Sequence, residues 1–186
     1  ILPEVDDFAA LDHVEIGHTT SPLGSGGMRS KVVAAEMATA AGIATVICNG
    51  LRPDALPAVL AGAREGTRFP PREARYSSFK LWLKYAKPAR GSLVVDGGAE
   101  RAVRDSAASL LPVGIVEVHG DFDAGDAVDI EAPRDGGAGT RTLGKGISNY
   151  SSAELRRVIG LKSAAVREVI PRATEEAVHR DYLVLD

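Results

Sequence analysis

One segment of the sequence combines residue types that could bind an anion. Residues 24–31 read Gly-Ser-Gly-Gly-Met-Arg-Ser-Lys and stand directly before a stretch predicted to be helical. Glycines let backbone amides approach a ligand closely, and the start of a helix offers unpaired N–H groups with a partial positive charge. Lys31 would add a full positive charge on the first turn. The pattern therefore predicts a site for an anion such as a nucleotide phosphate.

The spacing alone leaves a second interpretation open. The segment is not the P-loop pattern, which has four residues between its first glycine and Gly-Lys-Ser/Thr, and it is not the dinucleotide fingerprint. A flexible turn that precedes a core helix explains the same glycines equally well.

The elements around this segment predict an open α/β sheet. Residues 28–41 show near-helical apolar spacing, and Gly42 ends that helix. Residues 43–48 are rich in β-branched types and end at Asn49-Gly50, which indicates a buried strand. A second helix over 55–63 and a short strand over 66–69 follow. Alternating helices and strands favour this architecture.

Prolines, basic residues and aromatics mark a domain junction after residue 70. We predict a first domain over 1–75, a linker over 76–90 and a second domain over 91–186. In the second domain, alternating residues at 114–120 and 127–131 predict two paired strands joined by a hairpin turn. Ser151 and Glu154 match a capping box that opens a helix through Val158, a second helix follows over 162–170, and 182–185 predicts a closing strand.

Composition sets limits on the class of protein. The net charge is −3, with ten basic and nine acidic residues before Ala89 but twelve and sixteen after it, so neither half has the balance of a nucleic-acid binder. No apolar run reaches the roughly 20 residues of a membrane-spanning helix. The single cysteine, Cys48, suits a reducing compartment, and we expect a cytoplasmic protein without membrane contact. The first residue is Ile1 and no secretory leader follows it, so we expect a chain that begins within a longer protein.

Segment 24–31 resembles the Gly-Thr-Gly-Gly-Met-x-x-Lys signature of the amino acid kinase family, as it occurs in glutamate 5-kinases. Ser25 replaces the usual threonine and keeps its hydroxyl. The second domain resembles a PUA module, and the two together are specific to glutamate 5-kinases. Further matches follow in that family's order at 41–43, 66–69, 91–99, 109–115, 146–152 and 178–181.

This resemblance implies a fold and a reaction. The fold would be the C-terminal part of an amino acid kinase open sheet, of three-layer α/β/α type, followed by a small mixed β-barrel PUA domain. The reaction would transfer the γ-phosphoryl group of ATP to the side-chain carboxylate of L-glutamate, with Mg2+, as the first step of proline biosynthesis. The ATP-binding residues carried over are Ser25, Gly26, Gly27, Met28, Arg29, Ser30 and Lys31, of which Lys31 is expected to contact phosphate.

The same resemblance implies what these residues lack. The family's glutamate site and a second phosphate-contacting lysine lie upstream of the signature, so we predict that the 186 residues alone do not phosphorylate glutamate. It also implies a homo-oligomer and proline as a feedback inhibitor.

Other groups of residues in the sequence also suggest sites. His13 and His18 are five apart, a poor spacing for two metal ligands on a helix, and we expect no metal there. Asp121, Asp123 and Asp126 resemble part of a calcium loop, but a turn with solvated acids is favoured. Related PUA modules bind RNA, and Arg156, Arg157, Lys162 and Arg167 could form a basic patch, but a structural or regulatory appendage on the kinase is favoured because the half is acidic. We expect Phe79, Trp82 and Tyr85 to pack at the domain junction rather than stack on bases.

Overall fold

The computed structural model describes residues 2–13, 27–73, 76–134, 136 and 138–186. The chain divides into two compact units, Ile1–Leu81 and Trp82–Asp186. The division falls inside the predicted linker, and helix α3 (Ser78–Tyr85) crosses it. The predicted domain boundaries themselves stay a prediction.

The first unit alternates helices and strands, as the sequence predicts. After a short 3-10 helix at Phe8–His13, its elements are α1 (Gly27–Ala40), β1 (Thr45–Ile47), α2 (Ala55–Leu60) and β2 (Thr67–Phe69). β1 and β2 pair antiparallel as a two-stranded sheet. Val5, Leu11, Ala35 and Phe69 form its buried core. The rings of Phe8 and Phe69 stack with centroids 5.4 Å apart.

The prediction of a buried strand at 43–48 is wrong in its extent and burial. β1 covers three residues, and all three are half-buried. Among the described residues β2 is its one strand neighbour, so much of β1 remains partly open to solvent. The larger kinase sheet stays a prediction.

The second unit is built on a five-stranded mixed sheet with the order β4-β3-β5-β6-β7. β3 pairs antiparallel with β4 and parallel with β5, and the remaining neighbours are antiparallel. Its strands are β3 (Gly91–Val95), β4 (Ile115–Gly120), β5 (Ala127–Pro133), β6 (Thr140–Ser148) and β7 (Val178–Leu185). Its helices, besides the end of α3, are α4 (Gly97–Ser106), α5 (Ser152–Val158) and α6 (Ser163–Val169).

The prediction that 114–120 pairs with 127–131 is wrong. β3 lies between these two strands, so residues 121–126 cross the start of β3 instead of closing a hairpin. Phe122 is buried in this crossing, and a Cβ on Gly91 would lie 2.7 Å from its ring. Gly91 therefore gives the crossing chain room to pass over the start of β3.

One hydrophobic core fills the second unit. It includes Leu93, Ile130 and Leu143 from the sheet, with Leu155 and Val158 from α5 and Val166 from α6. The capping-box prediction is confirmed: Ser151 accepts from the amide of Glu154, and the Glu154 side chain accepts from the amide of Ser151. This cap begins α5 at the register that buries Leu155 and Val158.

Candidate anion-binding site at the start of α1

The structure places part of the predicted phosphate segment on the first turn of α1. Gly27, Met28, Arg29, Ser30 and Lys31 are the first five residues of that helix. Gly24, Ser25 and Gly26 lie outside the described residues. The helix that the sequence predicted from residue 28 is therefore confirmed, and the turn that bears the signature is its N-terminus.

Gly27 gives this turn its backbone geometry. Its φ is +55°, in the left-handed region that glycine adopts without the steric cost paid by other residues. The first turn of α1 holds no acidic side chain that would neutralise the positive end of the helix. An anion at this helix start would therefore meet no acidic side chain from the first turn of α1.

The side chains of the turn are accessible. Met28, Arg29, Ser30 and Lys31 are all exposed, as an approaching ligand would require. The Ser30 hydroxyl donates to the Gly27 carbonyl oxygen at 3.1 Å, and the Lys31 ammonium donates to the same oxygen at 3.2 Å. The Lys31 ammonium therefore lies beside the helix start.

Arg52 is a cation of this unit that the sequence did not single out. Arg52 follows β1, and its guanidinium is 2.9 Å from both carboxylate oxygens of Glu65. Glu65 therefore offsets the positive charge of Arg52.

His18 and the side chain of His13 lie outside the described residues, so the expectation at these histidines stays a prediction. Asp121 accepts from the Ser152 hydroxyl at 2.9 Å, and Asp126 accepts from the amide of Asp123 at 3.1 Å. These acids organise the crossing between β4 and β5. The part of the chain that the structure describes holds no group of three or more His, Cys, Asp or Glu side chains arranged for a metal.

The basic side chains of the second unit are mostly engaged within it. Arg156 donates to the Gly120 carbonyl oxygen at 2.5 Å, and Arg157 donates to that of Val169 at 3.4 Å. Arg167 forms an ion pair with Glu175. Lys162 is exposed at the N-cap position of α6. Of these four described residues, Arg167 is paired with a carboxylate, whereas Arg156 and Arg157 bond to neutral carbonyl oxygens that do not offset their positive charge.

Comparison with known proteins defines the class first. Residues 91–170 match the family model of the PUA domain. This range covers β3 to the end of α6, so the second unit contains a PUA domain. A PUA domain from Aeropyrum pernix K1 is a weak structural neighbour, with a TM-score of 0.34 at 28% identity over 49% of this chain and 41% of that chain.

Sequence relatives then point to a more specific group of proteins. A glutamate 5-kinase of Synechococcus sp. (strain JA-3-3Ab) is 47% identical over 169 residues, which are 90% of this chain and 44% of the relative. Glutamate 5-kinases of Meiothermus ruber and Thermus thermophilus are each 42% identical, over 98% and 99% of this chain and 49% and 48% of their own length. The chain is a homologue of part of the glutamate 5-kinases, and it spans a little under half the length of these relatives. Among the described residues, no helix is both long and apolar enough to cross a membrane.

Proposed function

We propose that this chain is part of a glutamate 5-kinase and that the start of α1 receives the phosphates of ATP. The reaction would move the γ-phosphoryl group of ATP to the side-chain carboxylate of L-glutamate and give L-glutamate 5-phosphate. The observation that carries the proposal is 47% identity to a glutamate 5-kinase over 90% of the chain, in a protein whose exposed helix start bears Gly27 and Lys31.

The proposed reaction requires little covalent chemistry from these residues. Phosphoryl transfer depends on positioning and on neutralising charge spread over the phosphoryl oxygens. The amides that follow Gly27 and the ammonium of Lys31 would supply donors and positive charge to the nucleotide. Ser25, Gly26, Met28, Arg29 and Ser30 complete the proposed binding segment.

Mg2+ would neutralise phosphate charge when the nucleotide is bound. Magnesium in such sites is usually held by substrate phosphates and one or two carboxylates, with water completing its coordination. No described residue is assigned as a protein ligand of Mg2+.

We also propose that these 186 residues do not turn over glutamate by themselves. They span under half the length of the relatives whose name carries the activity. A coupled assay for ADP release should give no glutamate-dependent rate with this polypeptide. Glutamate-dependent turnover above the background of a Lys31→Ala variant would contradict the proposal. A cytoplasmic homo-oligomer inhibited by proline belongs to the same proposal, and sedimentation of the complete enzyme with and without proline tests it.

Calorimetry with a non-hydrolysable ATP analogue tests the nucleotide site directly. Binding to this chain should be weak, since other parts of the complete site are supplied elsewhere, and it should be lost in Lys31→Ala. Lys162→Ala is the matched control, because Lys162 is also exposed near the start of a helix but lies in the second unit. Equal binding by the two variants would remove the assignment of Lys31.

RNA binding by the PUA domain is the second candidate function. The ion pair of Arg167 with Glu175 disfavours it, as does the acidic balance of this half. A mobility shift with structured RNA that weakens with salt and disappears in Arg156→Glu/Arg157→Glu would reverse this ranking.

A further inference from the structure

The end of α3 is bonded to the sheet of the second unit through two lysines. Lys145 lies in β6 between Gly144 and Gly146, two buried glycines, and its register partners are Asp129 on β5 and Val184 on β7. The Lys145 side chain lies on the face of the sheet that points away from the domain core. Ile130 and Leu183, which are adjacent in sequence to the partners of Lys145, are core members, and successive side chains of a strand point to opposite faces.

Lys145 reaches the last turn of α3. Its ammonium donates to the carbonyl oxygens of Lys84 at 3.4 Å and Lys87 at 3.1 Å. The final carbonyls of a helix have no hydrogen-bond partner within the helix and carry partial negative charge. A cation there donates hydrogen bonds to these oxygens and offsets their charge. Lys145 therefore caps α3 from a strand that lies 58 residues later in the sequence.

A second lysine makes the same connection in the opposite direction. The ammonium of Lys84, on α3, is 3.0 Å from a carboxylate oxygen of Asp186 and donates to the Leu185 carbonyl oxygen at 3.4 Å. The Lys145 side chain thus extends from the sheet to α3, and the Lys84 side chain extends from α3 to the end of β7. The Lys84 side chain is 21% exposed, whereas that of Asp186 is 53% exposed, so solvent screens this pair in part.

Apolar burial accompanies these bonds. Leu83 on α3 is fully buried and Val184 is 2% exposed, although neither belongs to the main core. Val184 is the register partner of Lys145 and shares its face of the sheet. The last turn of α3, held there by Lys84 and Lys145, is the element in position to cover that face.

We propose that residues 82–90 are an integral part of the PUA unit, fastened by an electrostatic clamp of Lys84 and Lys145, and are not a flexible linker. The PUA unit then begins upstream of residue 91, where the family match starts. The clamp is a conformational device: its charges fix the direction in which the chain enters the PUA domain.

Hydrogen exchange of the 186-residue chain tests the clamp. The amides of Ala86 and Lys87 both donate to the Trp82 carbonyl oxygen, so their protection reports on the end of α3. In Lys145→Met, which keeps the aliphatic stem and removes the charge, their exchange should accelerate on the order of tenfold through loss of the charged bonds. The amides of β5 should keep their protection. Fluorescence of Trp82, the single tryptophan, should change in parallel.

Two matched variants complete the experiment. Lys145→Arg keeps the charge and should restore much of the protection, whereas Lys162→Met removes an exposed lysine of the same unit and should change nothing. Unaltered exchange at residues 86 and 87 in Lys145→Met, or an equal acceleration across the whole sheet, would overturn the proposal. If Lys145→Met does not fold, Lys84→Met tests the other half of the clamp with the same expected and contrary results.

Discussion

Asp129 on β5 and Lys145 on β6 are register partners, directly opposite each other in the sheet of the PUA domain. The pKa of Asp129 is nevertheless raised above its ordinary value, because burial disfavours the carboxylate. Lys145 opposes this shift, while Glu131 and Asp186 add to it. Desolvation therefore outweighs the attraction of the facing lysine, and ionised Asp129 costs the folded protein free energy.

The raised pKa predicts a pH dependence for Asp129→Asn. Below the ordinary pKa of 3.8 the carboxyl is protonated in both the folded and the unfolded chain, so Asp129 carries no ionisation cost. As the pH rises through 3.8 to the raised folded value, the cost appears and then stays constant. The unfolding free energy of Asp129→Asn minus that of the wild type should therefore increase over this interval.

Urea unfolding of both proteins between about pH 3 and pH 8 measures this difference. The other titrating groups are common to both chains, so they largely cancel. A difference that falls as the pH rises would show that pairing with Lys145 dominates instead.

The cap of α5 predicts a second effect. Ser151→Ala removes the hydroxyl that accepts from the Glu154 amide and donates to the Glu154 carboxylate, and it should lower the unfolding free energy by about 1 kcal/mol. The matched control is Ser163→Ala, because Ser163 begins α6 at its first helical position and not at its N-cap. A loss no larger than that of the control would contradict the role of the cap.

Glu154 should titrate differently in the same variant. Hydrogen bonds from the backbone and hydroxyl of Ser151 lower the pKa of Glu154 below its ordinary 4.5. The stability that these bonds provide is present above 4.5 and is lost as the pH falls through the lowered folded pKa. In Ser151→Ala the pKa of Glu154 should move back towards 4.5, as measured by NMR titration of its carboxyl carbon. An unchanged pKa would assign the shift to the backbone amide alone.

The end of α4 predicts a stabilising substitution. Ala107 has a φ of +46°, and the amides of Ala107 and Ala108 both donate to the Ala102 carbonyl oxygen. A left-handed alanine is strained, so Ala107→Gly should raise the unfolding free energy by up to about 1 kcal/mol after the entropic cost of glycine. Ala102→Gly, inside the same helix, should lower it by about 1 kcal/mol. Thermal and urea unfolding compare the two, and a loss of stability in Ala107→Gly would contradict the expectation.

Local signals in the sequence predicted local structure well. Ser151 and Glu154 fixed the start of α5 because a capping box involves residues three apart, and Gly42 marked the end of α1 because glycine readily adopts its φ of +80°. The motifs of the second half also indicated a PUA domain, which the family match confirms.

Long-range pairing was not readable in the same way. β3 enters between β4 and β5 through a parallel pairing, which adjacency in sequence does not reveal. β6 was not predicted at all, because Gly144 and Gly146 interrupt its alternating pattern. The lysine clamp was not predicted either, because Lys145 and α3 are distant in sequence and meet only in the fold.

The phosphate segment was predicted from its residues, and the structure describes its second part. It shows Gly27 in a left-handed conformation and Lys31 exposed beside it. The sequence does not reveal the pairing of Arg52 with Glu65, because the loop that follows β1 and the loop that precedes β2 meet only in the fold.

The close approach of β6 and β7 predicts the last effect. A Cβ on Gly144 would lie 2.1 Å from the carbonyl oxygen of Val184 and 2.8 Å from the Cα of Leu185, so the backbone of β7 would have to move away from β6. Gly144→Ala should therefore lower the unfolding free energy by about 3 kcal/mol. On Gly146 the nearest atom is a methyl group of Val178 at 2.4 Å, a side chain that has more freedom to adjust, so Gly146→Ala should cost less.

Gly50→Ala is the control for these two substitutions, since no atom lies within 4 Å of the added Cβ and its stability should change little. Urea unfolding of the three variants should rank their losses as Gly144→Ala, then Gly146→Ala, then Gly50→Ala. A Gly144→Ala protein as stable as Gly50→Ala would mean that β6 and β7 are not packed this closely. The position of Lys145 between β7 and α3 would then need revision, because both glycines that flank it set that spacing.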